Sequence, residues 1–178
     1  SSVLEGMYLG GSPGNFGQVS FYDAARGESY RDFADPIGVA SRVFVQGLYG
    51  INPDALNKRL LIKPGFPQSW DFAQLKTPDI SFDFKRTWNE NLLEIFQIAI
   101  DLDNIESLEL QIPAQTDRIK NITANGKTVN WEVNQKSIGK PMINVTLSIT
   151  KGISSEIKIE WAGEKISNEI AKKKTCKI

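Results

Sequence analysis

The feature that most constrains this chain is a change of hydrophobic period near residue 58. From Arg59 onward apolar residues recur at every second position. Ile80, Phe82 and Phe84 alternate with Ser81, Asp83 and Lys85, and Leu108, Leu110 and Ile112 with Glu109 and Gln111. Ile143, Val145, Leu147 and Ile149, then Ile157, Ile159 and Trp161, repeat the pattern. Side chains of a strand point alternately to opposite faces, so this alternation describes strands with one buried face. Leu60 and Ile62 open the series before a Pro64-Gly65-Phe66-Pro67 turn, and Asn89-Glu90-Asn91 marks another turn. Leu92–Leu102 is apolar on both faces, as a central strand is. Asn125-Gly126 suits the two positive-φ positions of a type I′ turn and predicts a hairpin joining Ile119–Ala124 to Thr128–Val133. The expected fold is mainly β: an antiparallel β-sandwich of about eight strands, preceded by a Gly-rich loop segment and one α-helix.

The helix precedes the change of period. Asp35 is a good N-cap and Pro36 suits the first helical position, where a missing N–H is not needed. Ile37, Ala40, Phe44, Leu48 and Ile51 follow at spacings of three and four, and Gly50 can end the helix. Val39, Val43 and Val45 spread the apolar surface beyond one stripe, so the helix needs cover on more than one side. We read it as the last helix of a bundle or barrel whose other members lie outside this chain, with packing on the sheet as the alternative. The chain opens on Ser1 rather than Met, which carries the same expectation of a natural N-terminal portion lying elsewhere. The organisation expected is a Gly- and aromatic-rich segment with its helix over residues 1–58, a sandwich over 59–166, and a solvated basic tail over 167–178 containing Lys172-Lys173-Lys174.

Composition narrows the chemistry. The 178 residues include 21 basic and 21 acidic side chains, a balance unlike that of a nucleic-acid binder. Histidine is absent, which removes the Ser-His-Asp triad, Cys-His nucleophiles and His-ligated metal sites together. Cys176 has no second cysteine to pair with. No apolar run approaches the roughly 20 residues of a membrane-spanning helix. Neither a metal nor a cofactor is expected.

Three groups of residues invite a functional reading. Gly11-Ser12-Pro13-Gly14-Asn15-Phe16-Gly17 lacks the Lys-Ser/Thr and the strand-to-helix step of a phosphate loop, and reads instead as a tight loop presenting Asn15 and Gln18 as polar contacts. Glu28, Arg31, Asp32 and Asp35 form the densest charged cluster. Glu28 and Asp32 could serve as the acid and base of glycoside hydrolysis, a reaction that needs two carboxylates at a set separation. The simpler reading makes Asp35 a cap and pairs Arg31 with Glu28 or Asp32. Among the four tryptophans, alternation sends Trp131 and Trp161 inward, while Trp70 and Trp88 fall at a turn and a strand end, where an aromatic face can stack on a sugar or wedge between subdomains. Asn121-Ile122-Thr123 and Asn144-Val145-Thr146 match the glycosylation acceptor pattern but fall within strands, and nothing is drawn from them.

The run Asp35-Pro36-Ile37-Gly38 through Gln46-Gly47-Leu48-Tyr49-Gly50-Ile51-Asn52-Pro53-Asp54, followed by Leu60-Leu61-Ile62-Lys63-Pro64-Gly65-Phe66-Pro67 and Trp70, resembles the C-terminal end of (α/α)6-barrel glycoside hydrolases. There, the final barrel helix leads through a strand into a C-terminal β-sandwich. Gly10–Arg31 is similar to the bacterial DUF4450 type found in polysaccharide-degrading gut bacteria. The resemblance implies an exported, carbohydrate-active protein in which Asn15, Gln18, Glu28, Arg31 and Asp32 line a substrate site from one side. It implies a carbohydrate partner and a helical barrel against the apolar helix, while the Phe44 and Leu48 face of that helix, read by itself, leaves a second copy of the chain as the other cover. It further implies an accessory rather than a self-sufficient catalytic part, with a carbohydrate-binding module or a helix-mediated interaction protein as the alternatives.

Overall fold

The computed structural model describes residues 39–137 and 139–166, together with the backbone of Phe21–Asp23 and Glu28–Tyr30. The chain divides into two units between Tyr49 and Gly50. In the first, β1 (Phe21–Asp23) and β2 (Glu28–Tyr30) pair antiparallel, with Phe21 opposite Tyr30 and Asp23 opposite Glu28. Residues 39–48 are helical (α1), and the final stretch, Val43–Leu48, is wound wider than an α-helix. Its closing bond runs from the Tyr49 N–H to the Phe44 carbonyl, 3.2 Å away and five residues back. No residue of Val43–Leu48 is buried, and Val39 and Val43 are 60% and 63% exposed. Asp35, Pro36 and Ile37, expected to start this helix, lie outside the described residues.

The second unit is built from two sheets. One contains β3 (Ile51–Asp54), β4 (Arg59–Ile62), β8 (Ser107–Pro113), β11 (Trp131–Asn134) and β12 (Met142–Ser148) in the order β11-β12-β8-β4-β3. The other contains β5 (Phe72–Lys76), β6 (Ile80–Trp88), β7 (Leu92–Ile100), β9 (Thr116–Ala124), β10 (Lys127–Thr128) and β13 (Ser154–Lys165) in the order β10-β9-β13-β7-β6-β5. Every pair is antiparallel except β4 with β8, which run parallel. The period-two pattern explains the layering. Leu108, Leu110 and Ile112 of β8 are buried, as are Phe82 and Phe84 of β6, Phe96 and Ile98 of β7, and Ile157, Ile159 and Trp161 of β13. Each sheet thus has one apolar face, and the two faces enclose the core of an antiparallel-dominated β-sandwich. Phe84 packs against Phe96 at 5.0 Å and against Phe66 at 5.1 Å between ring centroids. Contacts of this kind contribute about 1 kcal/mol each beyond the area they bury.

Three features depart from the expected layout. Ile51–Asp54, which the sequence analysis places with the helix, is a strand paired with β4. Pro53 is tolerated there because β3 is the sheet's outermost strand, where a missing N–H breaks no ladder. The Asn125-Gly126 turn forms with positive φ at both residues (49° and 77°), but the strand paired with β9 is only Lys127–Thr128, followed by one bond from the Val129 N–H to the Ile122 carbonyl at 3.2 Å. Beyond them the chain crosses to the other sheet, where β11 pairs with β12. Trp131, expected in the core, is 39% exposed. It sits opposite Val145, a core residue, and so is on the inward-facing side of its strand. An inward-facing side chain on an edge strand still meets solvent, because no strand lies beyond it to close the seam.

Gly50 shows how tightly the start of the sandwich is drawn. Its φ is +67°, and a Cβ added there would lie 1.8 Å from the Lys63 carbonyl oxygen, while the Lys63 N–H donates to the Gly50 carbonyl at 2.9 Å. Gly126 has a similar φ of +77° with nothing within 4 Å of the added Cβ. Gly126→Ala should therefore cost only the left-handed backbone penalty, about 1 kcal/mol, whereas Gly50→Ala should cost on the order of 3 kcal/mol. Urea unfolding followed by tryptophan fluorescence compares the two, and equal losses would contradict the steric account.

Candidate functional site

One end of the sandwich gathers most of the residues with chemical potential. The connection from β4 to β5 (residues 63–71), the β6–β7 turn at Asn89–Asn91, the Ala114–Gln115 step between the sheets, the β11–β12 loop and the final residues of β13 all converge there. A buried ion pair lies beneath this end. Arg86 of β6 and Glu94 of β7 are register partners across the hairpin, both on the inner face. Arg86 Nε and Nη2 donate to Glu94 Oε1 at 2.9 and 2.8 Å, and the Trp161 indole N–H donates to Glu94 Oε2 at 2.9 Å. Arg86 Nη1 reaches the carbonyls of Pro67, Gln68 and Trp70 at 3.1, 3.1 and 3.2 Å, and the guanidinium lies 5.0 Å from the Phe84 ring centroid.

Burial raises the Glu94 carboxyl above the ordinary glutamate value, and the charge and hydrogen bonds of Arg86, with the Trp161 bond, pull against that shift. A carboxyl raised by burial is a familiar general acid. Glu94 is fully buried, however, and both of its oxygens are engaged, so no substrate atom can approach it. The network is a fastening that ties the loop of residues 67–70 to the centre of the six-stranded sheet.

Trp70 and Trp88 flank this fastening. The Trp70 carbonyl accepts from Arg86, and its ring stacks on Phe66 with centroids 6.0 Å apart and planes 19° from parallel. Trp88 lies two residues beyond Arg86 on the same strand, and Lys165 Nζ sits 4.7 Å above its ring centroid. The two tryptophans are 39% and 43% exposed. Each therefore has a partner for its ring and a large share of its surface in water, the disposition of an aromatic that can take a ligand. A shallow depression lined by Asn89, Glu90, Asn91, Leu92, Leu93 and Glu160 adjoins the turn.

Of the residues singled out from sequence, Trp70 and Trp88 are thus brought to one end of the sandwich. Glu28 is placed only at the backbone, in β2 opposite Asp23. Asn15, Gln18, Arg31 and Asp32 lie outside the described residues. Asn121 and Asn144 lie on β9 and β12, and the Asn144 side-chain oxygen is buried without a hydrogen-bond partner. Arg86 and Glu94 were not foreseen, although a signal existed. Each falls at an inward-facing position of its strand, and the Asn89-Glu90-Asn91 turn sets them directly opposite one another. Lys140 and Lys165 left no comparable mark, because their meeting depends on loop paths. Among the described residues no cluster of three or more acidic or cysteine side chains is placed to hold a metal ion, and no helix is long and apolar enough to cross a membrane.

A scan against protein-family models, a search of the curated proteins and a search of the solved structures each find no match to this chain. What the coordinates define is a mainly β protein of the two-sheet sandwich class.

Removing the Glu94 charge should be costly, because Arg86 would be left buried without a counter-ion. Glu94→Gln is expected to lower stability by about 3–5 kcal/mol. Trp161→Phe keeps most of the ring but leaves Glu94 Oε2 without its donor, for a loss of about 1–3 kcal/mol. The two changes share Glu94, so the double variant should lose less than the sum. Urea melts of the four proteins measure this, and a Glu94→Gln loss below about 0.5 kcal/mol would remove the ion pair from its central position.

Proposed function

We propose that this chain is a non-catalytic accessory portion of a carbohydrate-active protein of the glycoside-hydrolase kind. In this reading its sandwich supports a helical barrel, and its exposed tryptophans contact the polysaccharide. The observation that carries the reading is the pair of solvent-accessible tryptophans at one end of the sandwich, held on either side of the Arg86 fastening. An indole face suits the C–H face of a pyranose, and a ring braced by Phe66 loses little freedom when it accepts one. Two further observations favour the accessory role. The one fully buried carboxylate at this end is enclosed by protein donors, and helix α1 leaves Val39, Val43 and Phe44 exposed, as a helix waiting for helical neighbours would. An exported or cell-surface location follows from the same reading.

The test is a titration of the chain with soluble oligosaccharides, read by tryptophan fluorescence and calorimetry, beside an assay for released reducing ends. Saturable binding without turnover is expected. Trp70→Ala and Trp88→Ala should each weaken binding about tenfold or more while leaving the unfolding midpoint within a few degrees of the parent. Brisk hydrolysis by the chain alone would overturn the accessory role, and silence toward every glycan class would overturn the carbohydrate reading. A second reading, association through α1, is favoured by the same exposed Val39, Val43 and Phe44, and sedimentation across a range of concentrations separates it: a strictly monomeric species excludes self-association.

A further inference from the structure

At the tryptophan-bearing end of the sandwich three cations, Arg86, Lys140 and Lys165, act on one another beside the buried carboxylate Glu94, with Glu90 in the adjoining turn and Asp117 against the end of β13. Both Glu94 oxygens are taken, one by Arg86 and one by Trp161, so the two lysines share none of that neutralisation through a direct bond. Some cations of the sandwich have acidic partners: Lys58 with Glu106, Lys120 with Glu160, Lys151 with Asp101 and Asp103, and Lys158 with Glu156. Lys140 and Lys165, like Lys63, Lys76, Lys85, Lys127 and Lys136, have no such ion pair among the described residues, and what sets the two apart is that they stand beside one another.

Their proximity is built into the backbone. The Ala114 N–H donates to the Pro141 carbonyl at 2.8 Å, and the Ile166 N–H donates to the Gln115 carbonyl at 2.9 Å. The residue preceding Pro141 is Lys140, and the residue preceding Ile166 is Lys165, so one dipeptide step between the sheets holds the two lysine-bearing segments on either side of itself. The Lys140 carbonyl is also bound, accepting from Ser137 Oγ at 2.6 Å. Lys165 is aimed further by its seat over the Trp88 ring. The two lysines thus stand on segments that main-chain bonds hold together, and their like charges repel one another.

Resting on the carbohydrate reading above, we infer that Lys140, Lys165 and Trp88 form an anion-selective subsite for glycans that carry carboxylate or sulfate groups. The anionic group sits between the two ammonium groups, and the sugar ring to which it is attached lies beside Trp88. Partial burial, together with the neighbouring Lys165 and Arg86 charges, holds the Lys140 ammonium below the ordinary lysine pKa, a strain that a bound anion relieves.

The experiment titrates the whole chain with four probes at low and at moderate salt: an oligogalacturonate, a sulfated galactan oligosaccharide, a neutral xylo-oligosaccharide and a single-stranded DNA oligonucleotide. Parent protein, Lys140→Gln, Lys165→Gln and the control Lys127→Gln, which alters an exposed residue of β10, are compared. At least one anionic glycan should bind tenfold or more tighter than the neutral one. That preference should fall about tenfold in each subsite variant and persist in Lys127→Gln. The tighter of the two anionic arms identifies the group, uronate or sulfate. Binding at alkaline pH should also take up protons in the parent and not in Lys140→Gln. Neutral and anionic glycans bound alike, with the lysine variants unchanged, would overturn this inference and leave the carbohydrate reading standing. No binding of any glycan would overturn both, and DNA bound as tightly as the best glycan would replace a glycan subsite with a general polyanion surface.

Discussion

An arginine and a glutamate facing each other inside an apolar sandwich set the terms for the rest of this molecule. Withdrawing two charges from water is costly, and it is tolerated here because nearly every hydrogen-bonding direction is used. Arg86 spends two N–H groups on Glu94 and aims a third nitrogen at three loop carbonyls, while Glu94 gives its second oxygen to Trp161. The pair spans three neighbouring strands, since Arg86 is on β6, Glu94 on β7 and Trp161 on β13. A slip of one residue in any of these registers would turn one partner out to solvent and strand another inside. The network thus selects a single alignment of the six-stranded sheet, a kind of specificity that apolar contacts alone provide weakly.

The same network explains why a loop without a ladder is held in place. Residues 67–70 have no ladder of their own, yet their carbonyls are anchored to a side chain rooted in the core. Phe66 extends from the same loop into the aromatic cluster with Phe82 and Phe84. Trp70 is consequently an exposed residue on a rigid mount, and Trp88 shares that mount through its strand. Rigidity before binding limits the entropy lost on binding, and the proposed glycan contact draws on that property.

The legibility of this architecture in the sequence followed burial. Strands with one face in the core, such as β6, β8, β12 and β13, announce themselves by alternation. β7 is buried by alternation too, but Leu93, Ile95 and Ala99 on its other face are half-buried and make the strand read as apolar on both sides. Edge strands were harder to see. β5 buries only Ala73, so it offers no alternation to detect, and β3 carries a proline that would argue against any interior strand. For Trp131 the alternation gives the side of its strand but not its exposure, because alternation reports direction and says nothing about whether a neighbouring strand is present. Trp70 and Trp88 were legible as candidates from their positions at a turn and a strand end. The lysines beside them were not, because Lys140 and Lys165 are distant in sequence and are joined only through the Ala114–Gln115 step.

The parallel alignment of β4 with β8 has a consequence for how the chain assembles. In sequence β5, β6 and β7 all intervene between these two strands, and their antiparallel hairpins close over short turns. Closing a long loop costs entropy that no local contact repays in advance, so the β4–β8 seam joins only once the intervening meander has drawn its ends together. The hairpin carrying Arg86 and Glu94 lies within that meander and can act as its nucleus.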